Sequence, residues 1–251
     1  MTENLTDRRF VLVTGAAGRI GAAFVEDAGD RYRFRVTDRE APPLPSGDGH
    51  ETLALDVADL DACRAACRGV DTVLHLAADP SPEADFYGSL LDNNVKGTYN
   101  VFRAAADAGC RRVVFASSVH AVVGYPEDVQ PRTDSPVRPL NMYGVSKCFG
   151  EAVAACFATS GPSAIAIRIG AYDAPWIHER PTAGAMSMYV SRRDLNQLMA
   201  RCIDAADVSF AIVHGLSNNR FKRMDLASTR DLLGYAPEDD AFRLFGVDLP
   251  E

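Results

Sequence analysis

The sequence has few of the residues that build metal centres. It contains five histidines and six cysteines, and no two cysteines form a Cys-x-x-Cys pair. Cys63 and Cys67 are one helical turn apart, but no cluster of histidines or carboxylates completes a ligand set beside them. We therefore predict no metal site, and we interpret the cysteines as small buried side chains in a reducing compartment.

Clustered basic residues and long apolar runs are also missing. Lys and Arg number 26 against 34 Asp and Glu, which gives a net charge of -8 and leaves no basic stripe for a nucleic-acid backbone. No apolar run is long enough to span a membrane. Residues 1–9 are polar and lack the apolar core of a signal peptide. These features favour a cytoplasmic protein with no nucleic-acid or membrane partner.

Short apolar runs alternate with amphipathic helical patterns along the 251 residues. Strands are predicted at 9–13, 32–37, 52–55, 72–76, 111–117, 163–168 and 208–213. Helices are predicted at 19–28, 59–67, 85–108, 142–159, 192–206 and 225–233. This alternation indicates a mostly parallel sheet with helices on both faces, and right-handed crossovers make it a doubly wound, Rossmann-type α/β fold. The length suits a single domain spanning residues 1–251.

Residues 171–188 are long for a connection and include Trp176, His178 and Arg180. They follow the carboxyl end of a predicted strand, which is where ligands bind in such sheets. A substrate-covering loop and a plain irregular segment fit this composition equally well. We predict that residues 171–190 and the C-terminal segment form a small substrate-covering region.

Three glycines in Thr14-Gly-Ala-Ala-Gly-Arg-Ile-Gly21 lie between the first predicted strand and helix. Gly15 permits a tight turn, Gly18 lets the backbone approach a pyrophosphate, and Gly21 lets helix and strand pack closely. The helix N-terminus then offers free N–H groups to the phosphates. The alternative is an ordinary glycine-rich loop.

Asp38 strengthens the prediction of a dinucleotide site. It ends the second predicted strand, where an acidic residue accepts the ribose hydroxyls and repels a 2′-phosphate, so NAD is favoured over NADP. Arg39 complicates this, because a neighbouring arginine can accept that phosphate. The other predicted cofactor contacts flank the glycines or follow later strands, although some could be strand-end packing: Ala17, Arg19, Ile20, Asp56, Val57, Leu76, Ala77, Ala78 and Ile169.

The segment Tyr143-Gly-Val-Ser-Lys147 is the strongest catalytic pattern. Tyr143 is the candidate general base, and Lys147, one helical turn later, can lower the phenol pKa by its charge. Ser118, after an apolar run, is the candidate to hold the substrate oxygen. Asn94 is predicted to order a long helix and a proton-relay water, with a helix-internal hydrogen bond as the alternative. A structural ion pair is the favoured interpretation of Arg168.

These motifs resemble the extended short-chain dehydrogenase/reductases of the epimerase/dehydratase type. More narrowly, Phe115-Ala-Ser-Ser118 and Arg168-Ile-Gly170 are similar to short uronate dehydrogenases, and Asp79-Pro80 and Ser191-Arg-Arg-Asp194 to haloarchaeal NAD-dependent glucose-6-phosphate dehydrogenases. The resemblance implies NAD as cofactor, a sugar substrate oxidised at C1 to a lactone, and a dimer formed through helices 85–108 and 142–159.

The resemblance also implies roles for individual residues. Asn94, Tyr143 and Lys147 would contact the cofactor as well as act in catalysis. The implied substrate contacts are Asp79, Ser118, Val119, His120, Tyr143, Gly170 and Arg180. For His120, a structural hydrogen bond is the alternative.

The sequence departs from the uronate dehydrogenases at polar sugar contacts. Pro80, Val119 and Ala171 stand where those enzymes have serine, asparagine and serine, and their carboxylate-binding arginine has only the displaced Arg180 as a counterpart. Losing a partner for a buried hydroxyl costs about 1–3 kcal/mol. The chemistry is therefore better supported than the particular sugar.

Two other functions share these motifs. A nucleotide-sugar epimerase or dehydratase uses the same Ser118, Tyr143 and Lys147, but it needs a larger region after Gly170 to hold the nucleotide. A non-catalytic dinucleotide sensor would share the fold, but it has no need of a general base. An NAD-dependent sugar dehydrogenase is the leading prediction.

Overall fold

A computed structural model describes residues 8–47 and 49–246. The polar N-terminus on which the prediction of no signal peptide rests lies almost entirely outside these residues. Within them, no helix combines the length and the apolar character needed to cross a bilayer.

Seven parallel strands form the central sheet, and every strand predicted from the sequence is present with small shifts at its ends. They are β1 (Phe10–Thr14), β2 (Arg33–Asp38), β3 (Glu51–Ala54), β4 (Thr72–His75), β5 (Arg112–Ser118), β6 (Ser163–Ile169) and β9 (Phe210–Gly215). The strand order is β3-β2-β1-β4-β5-β6-β9. Successive strands are added on one side of β1 as far as β3 and on the other side from β4 onward, so the order of addition reverses between β1 and β4. That reversal opens a crevice at the carboxyl ends of these two strands. The predicted Rossmann-type fold is confirmed.

Helices cover both faces of the sheet. The longer ones are α1 (Arg19–Ala28), α2 (Leu60–Cys67), α3 (Gly97–Asp107), α4 (Met142–Phe157), α7 (Arg192–Asp204) and α8 (Ala227–Leu233). One core packs Phe24 and Leu198 against one face of the sheet, and the other packs Phe102 and Cys63 against the opposite face. Two cysteines of α4 depart from the prediction that the cysteines are buried, because Cys156 is exposed and Cys148 is half-buried.

The predicted helix 85–108 is two elements. Residues Phe86–Lys96 form a π-helical segment that continues into α3. The Asp85 side chain accepts from Gly88 N at 2.6 Å, and Asp85 O accepts from Leu90 N at 3.1 Å, a bond that spans five residues. Wide turns of this kind are rare and often lie at functional sites. Here the widened turns bury Asn94.

The segment 171–190, in which the sequence predicted no regular elements, contains four. They are β7 (Ala171–Tyr172), α5 (Pro175–Glu179), α6 (Ala183–Ser187) and β8 (Tyr189–Val190), and β7 pairs with β8 in parallel. Ile177 and Met186 form a small separate core with Phe242 of α9 (Ala241–Leu244). The segment is thus tied to the C-terminal part of the described chain.

Candidate active site

A cavity of about 1010 Å³ opens at the carboxyl ends of the strands, at the reversal between β1 and β4. Most of the side chains predicted to form a site contribute to its wall: Gly15, Ala17, Gly18, Arg19, Ile20, Gly21, Asp38, Asp56, Val57, Leu76, Ala77, Ala78, Asp79, Ser118, Val119, His120, Tyr143, Lys147, Ile169 and Gly170. Asn94 and Arg180 are the two predicted site residues that do not.

The turn between β1 and α1 requires its glycines. Gly15 has a φ of 70°, and a Cβ there would lie 2.7 Å from Ala77 N. A Cβ on Gly21 would lie 2.8 Å from Ala16 Cα. Gly18 is the N-cap residue of α1 and has no side chain to cap it, so no capping side chain pairs with the first N–H groups of the helix at the cavity wall. Such a helix start is suited to bind a phosphate.

Asp38 is held in place by the backbone. One carboxylate oxygen accepts from Ala17 N at 3.1 Å, and the other accepts from Arg39 N at 2.8 Å. A carboxylate oxygen can accept more than one hydrogen bond, so both retain capacity toward the cavity. Arg39 also lines the wall beside it.

The predicted catalytic residues come from β5 and α4. Ser118 is the last residue of β5, and Tyr143 and Lys147 lie on the first turns of α4. Lys147 Nζ donates to Ala116 O at 2.9 Å and lies 5.5 Å from the centre of the Tyr143 ring. A Cβ on Gly144 would lie 2.5 Å from His120 O, so this glycine lets α4 approach the strand end closely.

Burial dominates the electrostatics of this group. It raises the pKa of Tyr143, while a hydrogen bond with Ser118 lowers that pKa and the charge of Asp79 raises it further. Burial also lowers the pKa of Lys147 to about 8. The net shift of the Tyr143 pKa is therefore opposite to the one expected from a lysine neighbour alone. In the protein without ligands, Tyr143 is a neutral phenol at neutral pH.

Asn94 is buried behind the cavity wall and hydrogen-bonds one residue of that wall, Asp79. Its Oδ1 accepts from Asp79 N at 2.8 Å, and its Nδ2 donates to Asp79 O at 3.1 Å and to Ser146 Oγ at 3.1 Å. Ser146 Oγ in turn donates to Tyr143 O at 2.7 Å. The partners of Asn94 thus lie outside its own helix, so the alternative prediction of a helix-internal hydrogen bond is wrong. Asn94 therefore fixes Asp79 relative to the backbone of Tyr143.

His120 is oriented by Asn141. The Asn141 Oδ1 caps α4 by accepting from Gly144 N at 2.8 Å, and its Nδ2 lies 3.1 Å from His120 Nδ1. The His120 ring also meets the Tyr143 ring edge-on at 5.4 Å. Burial lowers the pKa of His120.

The segment 171–188 adds wall residues that the sequence analysis did not include among its site residues. Tyr172, Trp176 and Met188 line the cavity. The only feature of the sequence that pointed to these wall residues was the presence of Trp176 in a long connecting segment. Arg180 ends α5 and is exposed to solvent, away from the wall.

Arg168 forms the structural ion pair that the sequence favoured. Its guanidinium donates to both oxygens of Glu151 at 2.8 Å, and Ser117 Oγ donates to Glu151 at 2.7 Å. Both partners are buried. The network joins β5, β6 and α4 directly beneath the cavity.

A doubly wound parallel sheet with a glycine turn at its switch point defines a dinucleotide-binding protein of the Rossmann class. More narrowly, the chain belongs to the NAD dependent epimerase/dehydratase family, whose model matches residues 11–233.

Several relatives match nearly the whole chain. An NAD-dependent glucose-6-phosphate dehydrogenase from Haloferax volcanii is 39% identical, and the match covers 96% of this chain and 98% of that protein. An L-arabinose 1-dehydrogenase (NAD(P)(+)) from the same organism is 35% identical, and the match covers 92% of this chain and 97% of that protein. A crystal structure of a mutant uronate dehydrogenase from Agrobacterium tumefaciens complexed with NAD has 33% identity and a TM-score of 0.84, covering 97% and 91%.

Proposed function

We propose that the protein oxidises a sugar, at C1 of an aldose or its simple acid or phosphate, to a lactone with NAD. The observation that carries this proposal is one continuous cavity, lined at one end by the glycine turn and Asp38 and at the other by Ser118, Tyr143 and Lys147. The named relatives are sugar dehydrogenases whose names or complexes include NAD or NAD(P)(+), and they support the same activity.

The residues at the first end fit NAD. Gly15 and Gly18 line this end of the cavity with backbone alone, and the start of α1 offers N–H groups for a pyrophosphate. Asp38 offers a fixed acceptor for ribose hydroxyls. Lys147 and Tyr143 would hold the nicotinamide end.

When bound, NAD⁺ accepts the hydride, and the positive charge of its nicotinamide ring favours ionisation of a nearby phenol. Ser118 orients the sugar by hydrogen-bonding the C1 hydroxyl. Tyr143, as phenolate, takes the hydroxyl proton, which a base within hydrogen-bond reach can do. Lys147 stabilises that phenolate by its charge. Asn94 acts through Asp79 and Ser146, holding the wall against the Tyr143 backbone.

The chain beyond β6 favours a free sugar over a nucleotide sugar. After Ile169 the described elements near the cavity are the β7–β8 pair and two short helices. These elements can cover one sugar ring, and they contribute Tyr172, Trp176 and Met188 to the described wall. The retained Ser118, Tyr143 and Lys147 argue against a sensor without catalytic activity.

We also propose a cytoplasmic dimer formed through the Phe86–Lys96 segment, α3 and α4. Tyr87, Tyr99 and Val145 are large apolar side chains exposed on these elements. Light scattering should give twice the chain mass, and Val145→Glu should lower it to one chain. A native protein that scatters as a monomer at micromolar concentration contradicts the dimer.

The activity is tested by incubating the protein with NAD and a panel of free aldoses, hexuronates, sugar phosphates and UDP-sugars. NADH is followed by absorbance and products by mass. NADH with a lactone or aldonate product supports the proposal. An epimerised UDP-sugar without net NADH contradicts it and favours the epimerase alternative.

A further inference from the structure

The sugar end of the cavity combines one fixed carboxylate, one uncharged donor and an aromatic face. Building on the proposed function, we infer that the substrate is an uncharged aldose rather than a hexuronate or a sugar phosphate. The inference depends on Asp79, His120 and Trp176, and on what the cationic side chains of the wall already contact.

Asp79 places a carboxylate on the wall beside the reacting group. Its Oδ1 accepts from Ser81 N at 3.0 Å, and its Oδ2 accepts from Ser89 Oγ at 2.5 Å. Asn94 holds the Asp79 peptide at both its N–H and its carbonyl. The carboxylate is therefore fixed near Tyr143, whose pKa it raises. A fixed anion accepts hydrogen bonds from sugar hydroxyls and repels a carboxylate or phosphate.

His120 offers a hydrogen-bond donor without a charge. Gly144 N–H donates to Asn141 Oδ1, which leaves the Asn141 amide N–H₂ facing His120 Nδ1 at 3.1 Å. His120 Nδ1 must then accept, so the ring proton is on Nε2. Because burial lowers the pKa of His120, the ring stays neutral at neutral pH. It can hydrogen-bond a hydroxyl but cannot act as the cation that an anionic sugar needs.

The cationic side chains on the described wall are Arg19, Arg39 and Lys147. Arg39 lies beside Asp38 at the adenosine end. Lys147 donates to Ala116 O beneath Tyr143. Arg19 reaches from the start of α1 to the substrate-covering segment, but its guanidinium already donates to two backbone carbonyls there, Tyr172 O at 3.3 Å and Asp173 O at 2.6 Å.

Trp176 supplies the third element of this end. It lies on the wall with 51% of its surface exposed, so a large aromatic surface is available to a ligand. An aromatic surface packs well against the C–H face of a sugar ring, and this contact needs no charge. Arg180, four residues later, is an exposed cation that would pair with an anionic substrate only after a movement of α5. The experiment therefore includes an Arg180 variant.

The inference is tested with sugars that share one ring. D-glucose, D-glucuronate and D-glucose 6-phosphate differ at C6, and D-galactose with D-galacturonate is a second matched set. We expect kcat/KM for each neutral sugar to exceed that of its charged partner by roughly tenfold or more, because a buried charge without a partner is costly. A higher kcat/KM for either anion overturns the inference, and loss of that preference in Arg180→Ala would identify the missed cation.

Asp79→Asn gives a second readout, because it removes the charge and keeps the shape. The ratio of neutral to anionic kcat/KM should fall by roughly tenfold or more, since the repulsion disappears. The exposed Asp128→Asn serves as control and should leave the ratio unchanged. NAD affinity, measured by calorimetry, verifies that each variant is folded. An unchanged ratio in Asp79→Asn overturns the role of Asp79.

The two levels of the proposal fail in different ways. If no free sugar, neutral or charged, yields NADH, the proposed dehydrogenase function fails. If NADH forms chiefly from the uronates or the phosphate, the dehydrogenase function holds and only the neutral-sugar inference fails.

Discussion

The two ends of the cavity differ in whether backbone or side-chain groups form them. The cofactor end is mostly backbone: a turn made possible by Gly15 and Gly21, the start of α1, and Asp38 fixed by two peptide N–H groups. The sugar end is mostly side chains, with His120 set by Asn141 and Trp176 carried on a five-residue helix.

Because of this difference, substitutions at the two ends have unequal structural costs. A backbone turn tolerates little variation, because any side chain would collide with neighbouring backbone atoms. Side chains on short connections can be exchanged without disturbing the sheet. Substitutions at each end, and at the residues between them, can therefore test the two ends separately.

Tyr143→Phe acts where the two ends meet and should have the largest effect. Removing a general base lowers kcat by roughly 10²–10⁴, while the packing of the ring and the NAD site stay intact. We expect near-native NAD affinity by calorimetry together with this loss of turnover. Near-native turnover in the variant would show that another group takes the proton.

Lys147→Met tests the cost of burying a charge at the same junction. Burial lowers the Lys147 pKa from its usual 10.5 to about 8, so the folded state holds fewer protons than the unfolded state between these pH values. The native protein should therefore be less stable than the variant by about 3 kcal/mol below pH 8, and the gap should close as pH rises toward 10.5.

Urea unfolding of the cofactor-free proteins at a series of pH values measures this gap. The exposed Lys96→Met is the control, because the Asp92 carboxylate raises the Lys96 pKa and no such closing is expected. A gap for Lys147→Met that stays constant from pH 8 to 10.5 contradicts the assigned pKa.

Paired glycine substitutions separate the two ends. Gly21→Ala forces a Cβ to 2.8 Å from Ala16 Cα, and Gly170→Ala forces one to 2.5 Å from Leu216 Cδ2. Overpacking of this kind costs about 1–3 kcal/mol. Gly21→Ala should weaken NAD binding, and Gly170→Ala should mainly raise the KM of the sugar.

Gly184→Ala is the matched control, because nothing lies within 4 Å of its added Cβ. It should leave both constants unchanged. If Gly170→Ala weakened NAD binding as strongly as Gly21→Ala, the two ends could not be treated as separate.

Asp38→Ala should give the smallest effect, a change in cofactor preference. The native protein should bind NAD more tightly than NADP, and losing the carboxylate should narrow the gap by about tenfold, the effect of roughly 1.4 kcal/mol. Arg39→Ala should widen it, because Arg39 can accept the 2′-phosphate. Calorimetric titration of both cofactors decides. Tighter NADP binding by the native protein would contradict the assignment.

The strands, and the position of the glycine turn and Asp38 on the cavity wall, could be predicted from the sequence, because they depend on local patterns. A buried parallel strand is a short apolar run, and the glycine turn must lie between a strand and a helix. Tyr143 and Lys147 were recognisable because one helical turn sets their spacing.

The rest depends on contacts between distant residues. The pairing of β7 with β8 is supported by Asn219, whose side chain donates to Tyr189 O at 2.8 Å, and no local pattern encodes that bond. The segment Phe86–Lys96 contains poor helix formers such as Gly88, Asn93 and Asn94, but this composition does not distinguish widened turns from a weak α-helix. The direction of the Tyr143 pKa shift follows from burial, which only the packed structure reveals.

Arg19 belongs to both ends at once. It begins α1 in the glycine turn, and its guanidinium donates to Tyr172 O at 3.3 Å and to Asp173 O at 2.6 Å. A pyrophosphate that binds Arg19 weakens the hydrogen bonds from Arg19 to β7 and so changes the affinity for the sugar. By thermodynamic linkage, a sugar that shifts β7 changes the affinity for the cofactor by the same factor.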